Sequence, residues 1–207
     1  MLYDLSYRIE NGIKEYPNDS KTIIITDKEY IKDGYKLSTY STSLHTGTHI
    51  DFPSHLTDSD KTAHDYPVSR FTGRGRIICV EGVNEIGLKK EFDDIKKDDI
   101  VILYTGFETY YKREKYFDEH PVISEELALY LVNRGISMIG FDMPSCDRYP
   151  FLIHKIFLRN DILILENLRN LEALYEKMKS SEKLIIYAFP LDIYAEASQV
   201  RVIANVT

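Results

Sequence analysis

The stretch His45-Thr46-Gly47-Thr48-His49-Ile50-Asp51-Phe52-Pro53-Ser54-His55 places three histidines and an aspartate close together in a 207-residue chain with only six histidines in all. Imidazole nitrogen and carboxylate oxygen are the donors that zinc, manganese and similar divalent ions prefer. His45 and His49 are spaced i and i+4, which on a helix would put them on one face. A long helix is not expected here. Gly47 disfavours one, Pro53 ends one, and Phe52 is pushed toward extended geometry by the proline after it. The metalloprotease pattern is also excluded, because Thr46 follows His45 and no glutamate base lies between the histidines. The stretch reads as a strand end that turns sharply at Gly47, so that two imidazoles and one carboxylate converge. Solvated loop histidines would explain any one of these residues, but not their density.

Upstream, Lys36 to Leu44 is a Ser/Thr-rich strand whose alternate residues Leu37, Thr39, Ser41 and Ser43 share a face with His45. Their hydroxyls are either supports for ligands or the polar face of an ordinary half-exposed strand. Leu2–Ile9 and Thr22–Thr26 read as earlier strands, separated by the turn signal Asn11-Gly12 and the loop of Tyr16-Pro17. Downstream, Thr57–Asp65 is a polar loop in which His64 is expected to be solvated. Gly73 and Gly75 open a strand over Arg76–Val83. No helix clearly follows this Gly-Arg-Gly, so it is not a phosphate loop.

Lys89–Lys97 is a charged segment expected to be helical. Ile100–Tyr104 is a continuous apolar run suited to a strand buried on both faces. Ser124 is an N-cap for a helix to Arg134, with Glu125 and Glu126 in its first turn and Gly135 as its stop. Ile136–Phe141 is a second buried strand, ending at Asp142. That carboxylate is placed for function or for capping a turn. Phe151–Arg159 reads as a short helix carrying His154, Ile162–Leu165 as a strand followed directly by Glu166, and the segment from about Leu171 as helix. Leu184–Phe189 and Val200–Val206 are the closing strands. The alternation of strands and helices after a β-rich first third implies a mixed α/β fold with a central sheet, and one domain over 1–207.

The net charge of −7 is spread along the chain and argues against a nucleic-acid surface. No apolar run is long enough for a membrane span and no basic amphipathic leader is visible, so no membrane partner is expected. Cys79 and Cys146 lack CxxC spacing. They read as free thiols of a cytoplasmic protein, Cys79 in the core and Cys146 as a small buried filler. His120, ahead of Pro121, looks like surface. Phe107, Tyr110, Tyr111, Tyr116 and Phe117 form an aromatic segment that would roof a substrate pocket, line a subunit interface or make a local core.

The pattern His-x-Gly-Thr-His-x-Asp-x-Pro-x-His at 45–55 resembles the signature of the metal-dependent cyclase family, whose best-known members are bacterial kynurenine formamidases. Further matches span nearly the whole chain. Tyr16-Pro17 is similar to the family's early aromatic-Pro pair, and Tyr104-Thr105-Gly106 to its strand ending in Thr-Gly. Asp142–Asp147 resembles its Asp-x-Pro-Ser-x-Asp segment. His154 with Glu166-Asn167-Leu168 matches its histidine followed by Glu-Asn-Leu. Ala197–Arg201 resembles its closing strand, with Gln199 where proline is usual.

The resemblance implies a swivelling β/β/α domain with a mixed central sheet flanked by helices, assembled as a homodimer or homotetramer. It implies two divalent ions, Zn²⁺ or Mn²⁺, with His45 and His49 on the first, His154 on the second, and Asp51 and Glu166 reaching both. His55 takes the place of the catalytic acid/base and Tyr16 that of an aromatic substrate contact. The implied activity is hydrolysis of a small aryl formamide such as N-formyl-L-kynurenine to formate and the free amine. The alternatives are ring opening of a cyclic amide such as isatin, and a metal-stabilised binding protein without catalysis. Tyr16 in place of tryptophan, and Met143 where the formamidases commonly carry threonine, set this chain's pocket apart.

Overall fold

A computed structural model describes all of residues 1–207. Its centre is the strand β7 (Ile100–Tyr104), buried along its whole length as the unbroken apolar run requires. Successive side chains of a strand point to opposite faces. Ile100, Ile102 and Tyr104 accordingly join one core, with Leu163, Leu165, Leu184 and Ile186. Val101 and Leu103 join the other, with Ile78, Ile139, Phe141 and Ile164.

Beside β7 lie β5 (Thr72–Cys79) and β9 (Met138–Phe141), and beyond β9 lies β10 (Leu163–Glu166), all four parallel. Antiparallel strands extend the sheet on both sides. β4 (His49–Asp51) and then β12 (Ala197–Gln199) follow β10. On the far side, β11 (Leu184–Tyr187), β13 (Ile203–Val206) and β1 (Leu2–Asp4) follow β5. The nine-stranded order is β1-β13-β11-β5-β7-β9-β10-β4-β12, so the first and last strands of the chain are neighbours.

Helices cover the two faces. α3 (Glu125–Arg134) and α4 (Leu152–Arg159) pack over one core, and α5 (Leu171–Met178) over the other. α3 has the expected boundaries: Ser124 Oγ accepts from Leu127 N at 3.2 Å, and Gly135 closes the helix at φ 68°. Two short pieces, α1 (Tyr30–Asp33) and α2 (Lys115–Asp118), lie in connections. Two small pairings stand apart from the main sheet. β6 (Glu85–Ile86) pairs with β8 (Val122–Ile123), and β2 (Ile23–Lys28) with β3 (Leu37–Ser41) in a ribbon exposed along most of its length.

Several expectations need correction. The first strand stops at Asp4, and beyond it only Ser6 bridges, to Leu168. The strand expected at Arg76–Val83 runs four residues earlier, because Gly73 and Gly75 are inside it rather than before it. A Cβ on Gly75 would come within 2.7 Å of Leu184 Cγ, so the neighbouring strand's side chains occupy that space. Lys89–Lys97 forms only a 3₁₀ turn at Lys90–Phe92. Phe92 and Ile95 anchor it in the core, and two apolar residues in nine do not make a helix-long buried stripe. Cys79 is partly exposed, with Sγ 3.5 Å from Glu81 Oε2, whereas Cys146 is buried as expected. Asp142 acts as a turn cap: its Oδ1 accepts from Thr105 N and Oγ1 at 2.8 and 2.7 Å.

Candidate metal centre

Strand register builds the centre. β4 lies between β10 and β12, with His49 directly opposite Glu166 and Asp51 opposite Ile164. The two-residue period sends His49 and Asp51 to one face and Ile50 to the core beneath. Gly47 makes the expected sharp turn ahead of the strand, at φ 69°. Ile9 and Ile13 would lie 3.0 and 3.1 Å from any Cβ placed there. The turn brings His45 back over the strand, and the 3₁₀ turn Pro53–His55 after it brings His55 to the same side. α4 packs beside β10 and supplies His154 from above.

Five side chains therefore meet despite the hundred residues between them in sequence. His45 Nδ1 is 3.0 Å and His49 Nε2 3.4 Å from Asp51 Oδ1. His49 Nε2 is also 3.4 Å from Glu166 Oε2, and His154 Nε2 is 3.2 Å from Glu166 Oε1 and 4.0 Å from Asp51 Oδ2. Each carboxylate offers one oxygen toward His49 and the other toward His154. His49 Nδ1 is held by Gly47 O at 2.9 Å, which puts a ring proton there and turns Nε2 toward the carboxylates.

The donors fit a cation. His49 and Asp51 are each only 1% exposed. Asp51 Oδ1 meets His45 Nδ1 at 3.0 Å, yet no well-formed hydrogen bond reaches it, Asp51 Oδ2 or His49 Nε2. A buried polar atom left so costs about 1–3 kcal/mol, and three converging donors of this chemistry are what a divalent ion satisfies. Burial pushes the Asp51 carboxyl up, but the imidazoles of His49 and His45 beside it pull it down further, well below the usual range. Glu166 is lowered too, its burial outweighed by His154 and His49. Burial pulls His45 down, but the Asp51 carboxylate more than offsets this and raises it to about 9.

His55 differs from its neighbours. Burial, and then the imidazoles of His45 and His154, hold it lowered and neutral against the pull of Asp51. Its ring lies 4.3 Å from that of His45 and 6.2 Å from that of His154, at the wall of the cleft. It stands close enough to His45 and Asp51 to share an ion with them, so geometry leaves room for a ligand as well as for a proton carrier.

A cleft of about 170 Å³ opens over these residues. Tyr16 lines it, 40% exposed, with its ring 5.4 Å from Phe117 and edge-on to it. Phe151 and Leu56 add apolar wall, while Lys14 and Asp19 add opposite charges at the rim. Of the aromatic segment, Phe117 reaches the cleft. Tyr111 and Tyr116 instead form a local core with Ile13, Tyr111 stacking on Tyr7 at 3.7 Å.

The Ser/Thr-rich strand supports the centre less than its pattern allowed. Thr39 donates to Asp27 in the exposed ribbon, and only Ser43 comes near, its Oγ accepting from His45 N at 3.3 Å. His64 is exposed as expected, paired with Asp192 at 2.7 Å. His120 is not surface: it is 1% exposed, with Nδ1 3.0 Å from Phe117 O and Nε2 3.3 Å from Asp147 O. Two residues beside the centre escaped the sequence reading. Glu196 Oε1 is 3.6 Å from His45 Nε2, and Asp147 Oδ1 is 2.6 Å from His154 Nδ1. Asp147 lay inside a recognised segment, whereas Glu196 had no local signal.

A buried histidine-carboxylate cluster at the strand ends of a mixed sheet, under an aromatic cleft, defines a metal-site protein of the α/β class. The family described as "Putative cyclase" matches residues 3–148, and the chain belongs to it. The kynurenine formamidase of Bacillus cereus is 29% identical over 168 residues, covering 79% of this chain and 80% of that protein. The kynurenine formamidase of Bacillus anthracis is 30% identical over 169 residues, with the same coverage. Among solved structures, isatin hydrolase A from Ralstonia solanacearum superposes with a TM-score of 0.83 at 17% identity, covering 99% of this chain and 91% of that one. That likeness extends the shared fold to the residues beyond 148.

Proposed function

We propose that this chain is a divalent-metal-dependent amidohydrolase that cleaves an aryl formamide such as N-formyl-L-kynurenine to formate and the free amine. The observation that carries the reading is the set of buried, unpartnered donor atoms on His49 and Asp51, flanked by a neutral His55 at the cleft wall. His45 and His49 would hold one ion and His154 a second, with Asp51 and Glu166 shared between them. Zn²⁺, or Mn²⁺ in its place, would polarise the amide carbonyl and acidify a water molecule when bound. His55 would take a proton from the attacking water and return it to the departing nitrogen, work for which a neutral imidazole is suited near pH 7. Tyr16 and Phe117 would hold the aryl ring.

The cyclic-amide alternative draws on the fold shared with isatin hydrolase. The rim favours the open-chain substrate, because Lys14 and Asp19 offer opposite charges to an amino-acid tail that isatin lacks. A metal-stabilised binding protein would need no proton carrier, the part read here for His55. Assays of metal-reconstituted protein on N-formyl-L-kynurenine and on isatin test the reading. Turnover of the formamide supports it, turnover of isatin alone supports the ring-opening alternative, and neither activity in metal-loaded protein defeats both.

The nine-stranded sheet, joining strands from residue 2 to residue 206, supports one hydrolase domain. No helix is long and apolar enough to cross a membrane, and the free thiols Cys79 and Cys146 fit the cytoplasm. A homodimer or homotetramer is supported by the β2–β3 ribbon, which exposes Ile23, Ile25, Leu37 and Tyr40. A two-stranded ribbon with little packed against it is marginal alone.

A further inference from the structure

We infer that Asp147 is the positioning residue for His154, fixing which ring nitrogen faces the centre and tying that choice to the start of α4. The inference rests on the reading of His154 as a metal ligand for its consequence, though not for its geometry.

Asp147 is buried and uses both oxygens. Oδ1 lies 2.6 Å from His154 Nδ1. Oδ2 accepts from Ile153 N at 2.6 Å and, more weakly, from His154 N at 3.4 Å. These last two are first-turn amides of α4, which no side chain of the adjacent Phe151 caps. One carboxylate therefore caps the helix that carries the imidazole and orients the imidazole itself. A carboxylate accepts and does not donate, so a ring proton sits on Nδ1. That turns Nε2 toward Glu166 Oε1 at 3.2 Å and makes it the nitrogen whose lone pair an ion at the centre would take. Carboxylate-histidine pairs behind metal ligands act in this way, setting the tautomer and raising the donor strength of the free nitrogen.

A rival for Nδ1 is present. Cys146 Sγ lies 3.2 Å from it. Sulfur is a weak hydrogen-bond acceptor and the carboxylate oxygen is nearer, at 2.6 Å, so Asp147 takes the proton and Cys146 packs against the ring. The segment Asp142–Asp147 thus carries two carboxylates with separate tasks. Asp142 caps the turn after β7, and Asp147 serves the histidine.

The test uses the full chain loaded with zinc, read by ¹⁵N NMR of the histidine side chains and by metal titration. In the wild type the His154 ring proton is expected on Nδ1, in slow exchange with water. Cys146→Ala should leave that signal and the metal affinity unchanged. Asp147→Asn should redistribute or lose the Nδ1 proton signal and weaken the ion at His154 by 10–100-fold, while the ion at His45 and His49 stays bound. A wild-type proton on Nε2 would overturn the inference, and this needs no variant to fold. So would an Asp147→Asn protein with unchanged spectrum and affinity, or a Cys146→Ala protein that loses the Nδ1 signal. If the wild type binds no zinc, the metal reading fails. The same spectra of the zinc-free chain then decide the positioning, which stands if Asp147→Asn alone releases the protected Nδ1 proton.

Discussion

The two halves of the centre are built differently. On the His154 side the imidazole, carried by α4, is only 3% exposed where it lines the cleft, and Asp147 holds its far nitrogen. On the His45 side the ring is 20% exposed, and its outer nitrogen faces Glu196, itself 43% exposed. The buried half gains precision from fixed neighbours, and the more exposed half is the easier to reach from the cleft they share. Asp51 and Glu166 belong to both halves and join them, which is why strand register matters more here than any single loop. A one-residue slip of β4 against β10 would turn His49 and Asp51 into the core and Ile50 toward the centre.

Breaking the shared member should have the largest effect. Asp51→Asn keeps the shape but removes the negative charge between the halves. Metal content is expected to fall toward zero and hydrolysis below detection. Retention of full metal content would mean that the halves are independent.

His55→Ala sharpens the contrast between ligand and proton carrier. The variant is expected to keep its metal and lose about 10²–10⁴-fold in kcat. Loss of metal would move His55 into the more exposed half as a ligand, and full activity would leave it without a role.

Tyr16→Ala should act on binding alone. KM for an aryl formamide is expected to rise about 10-fold, in line with the ~1–3 kcal/mol of one apolar pocket contact, at unchanged metal content. An unchanged KM would return Tyr16 to the surface.

The smallest effect concerns pH. The His45 imidazole is raised to about 9 in the metal-free chain, above its ordinary value in an unfolded one. Its contribution to stability is therefore fully present below about pH 6.5 and is lost as pH rises through about 9. Metal-free protein should show a falling Tm across that window, and His45→Gln should flatten the fall. A Tm that rises there in the wild type would contradict the assignment.

The sequence carried the centre better than its surroundings. The histidine stretch, β7 and the capped α3 were legible because each is a local pattern: ligand types at close spacing, an unbroken apolar run, a serine and a glycine at the two ends of a helix. His154 and Glu166 were reached only through resemblance, since β10 joins β4 across a hundred residues and spacing says nothing of such pairings. His120 looked like surface because a charged loop surrounds it. Its burial depends on two carbonyls, of Phe117 and Asp147, that only the folded chain brings together. Glu196 was invisible for the same reason. The segment Lys89–Lys97 shows the opposite error, in which local charge suggested a helix that the core had no stripe to hold.

The central claim is that the two halves hold a pair of divalent ions, and counting them tests it most directly. Protein stripped of metal, reconstituted with zinc and freed of excess should be assayed for zinc per chain by mass spectrometry. The account predicts two ions per chain. A purified, folded protein that takes up one ion or none would contradict it.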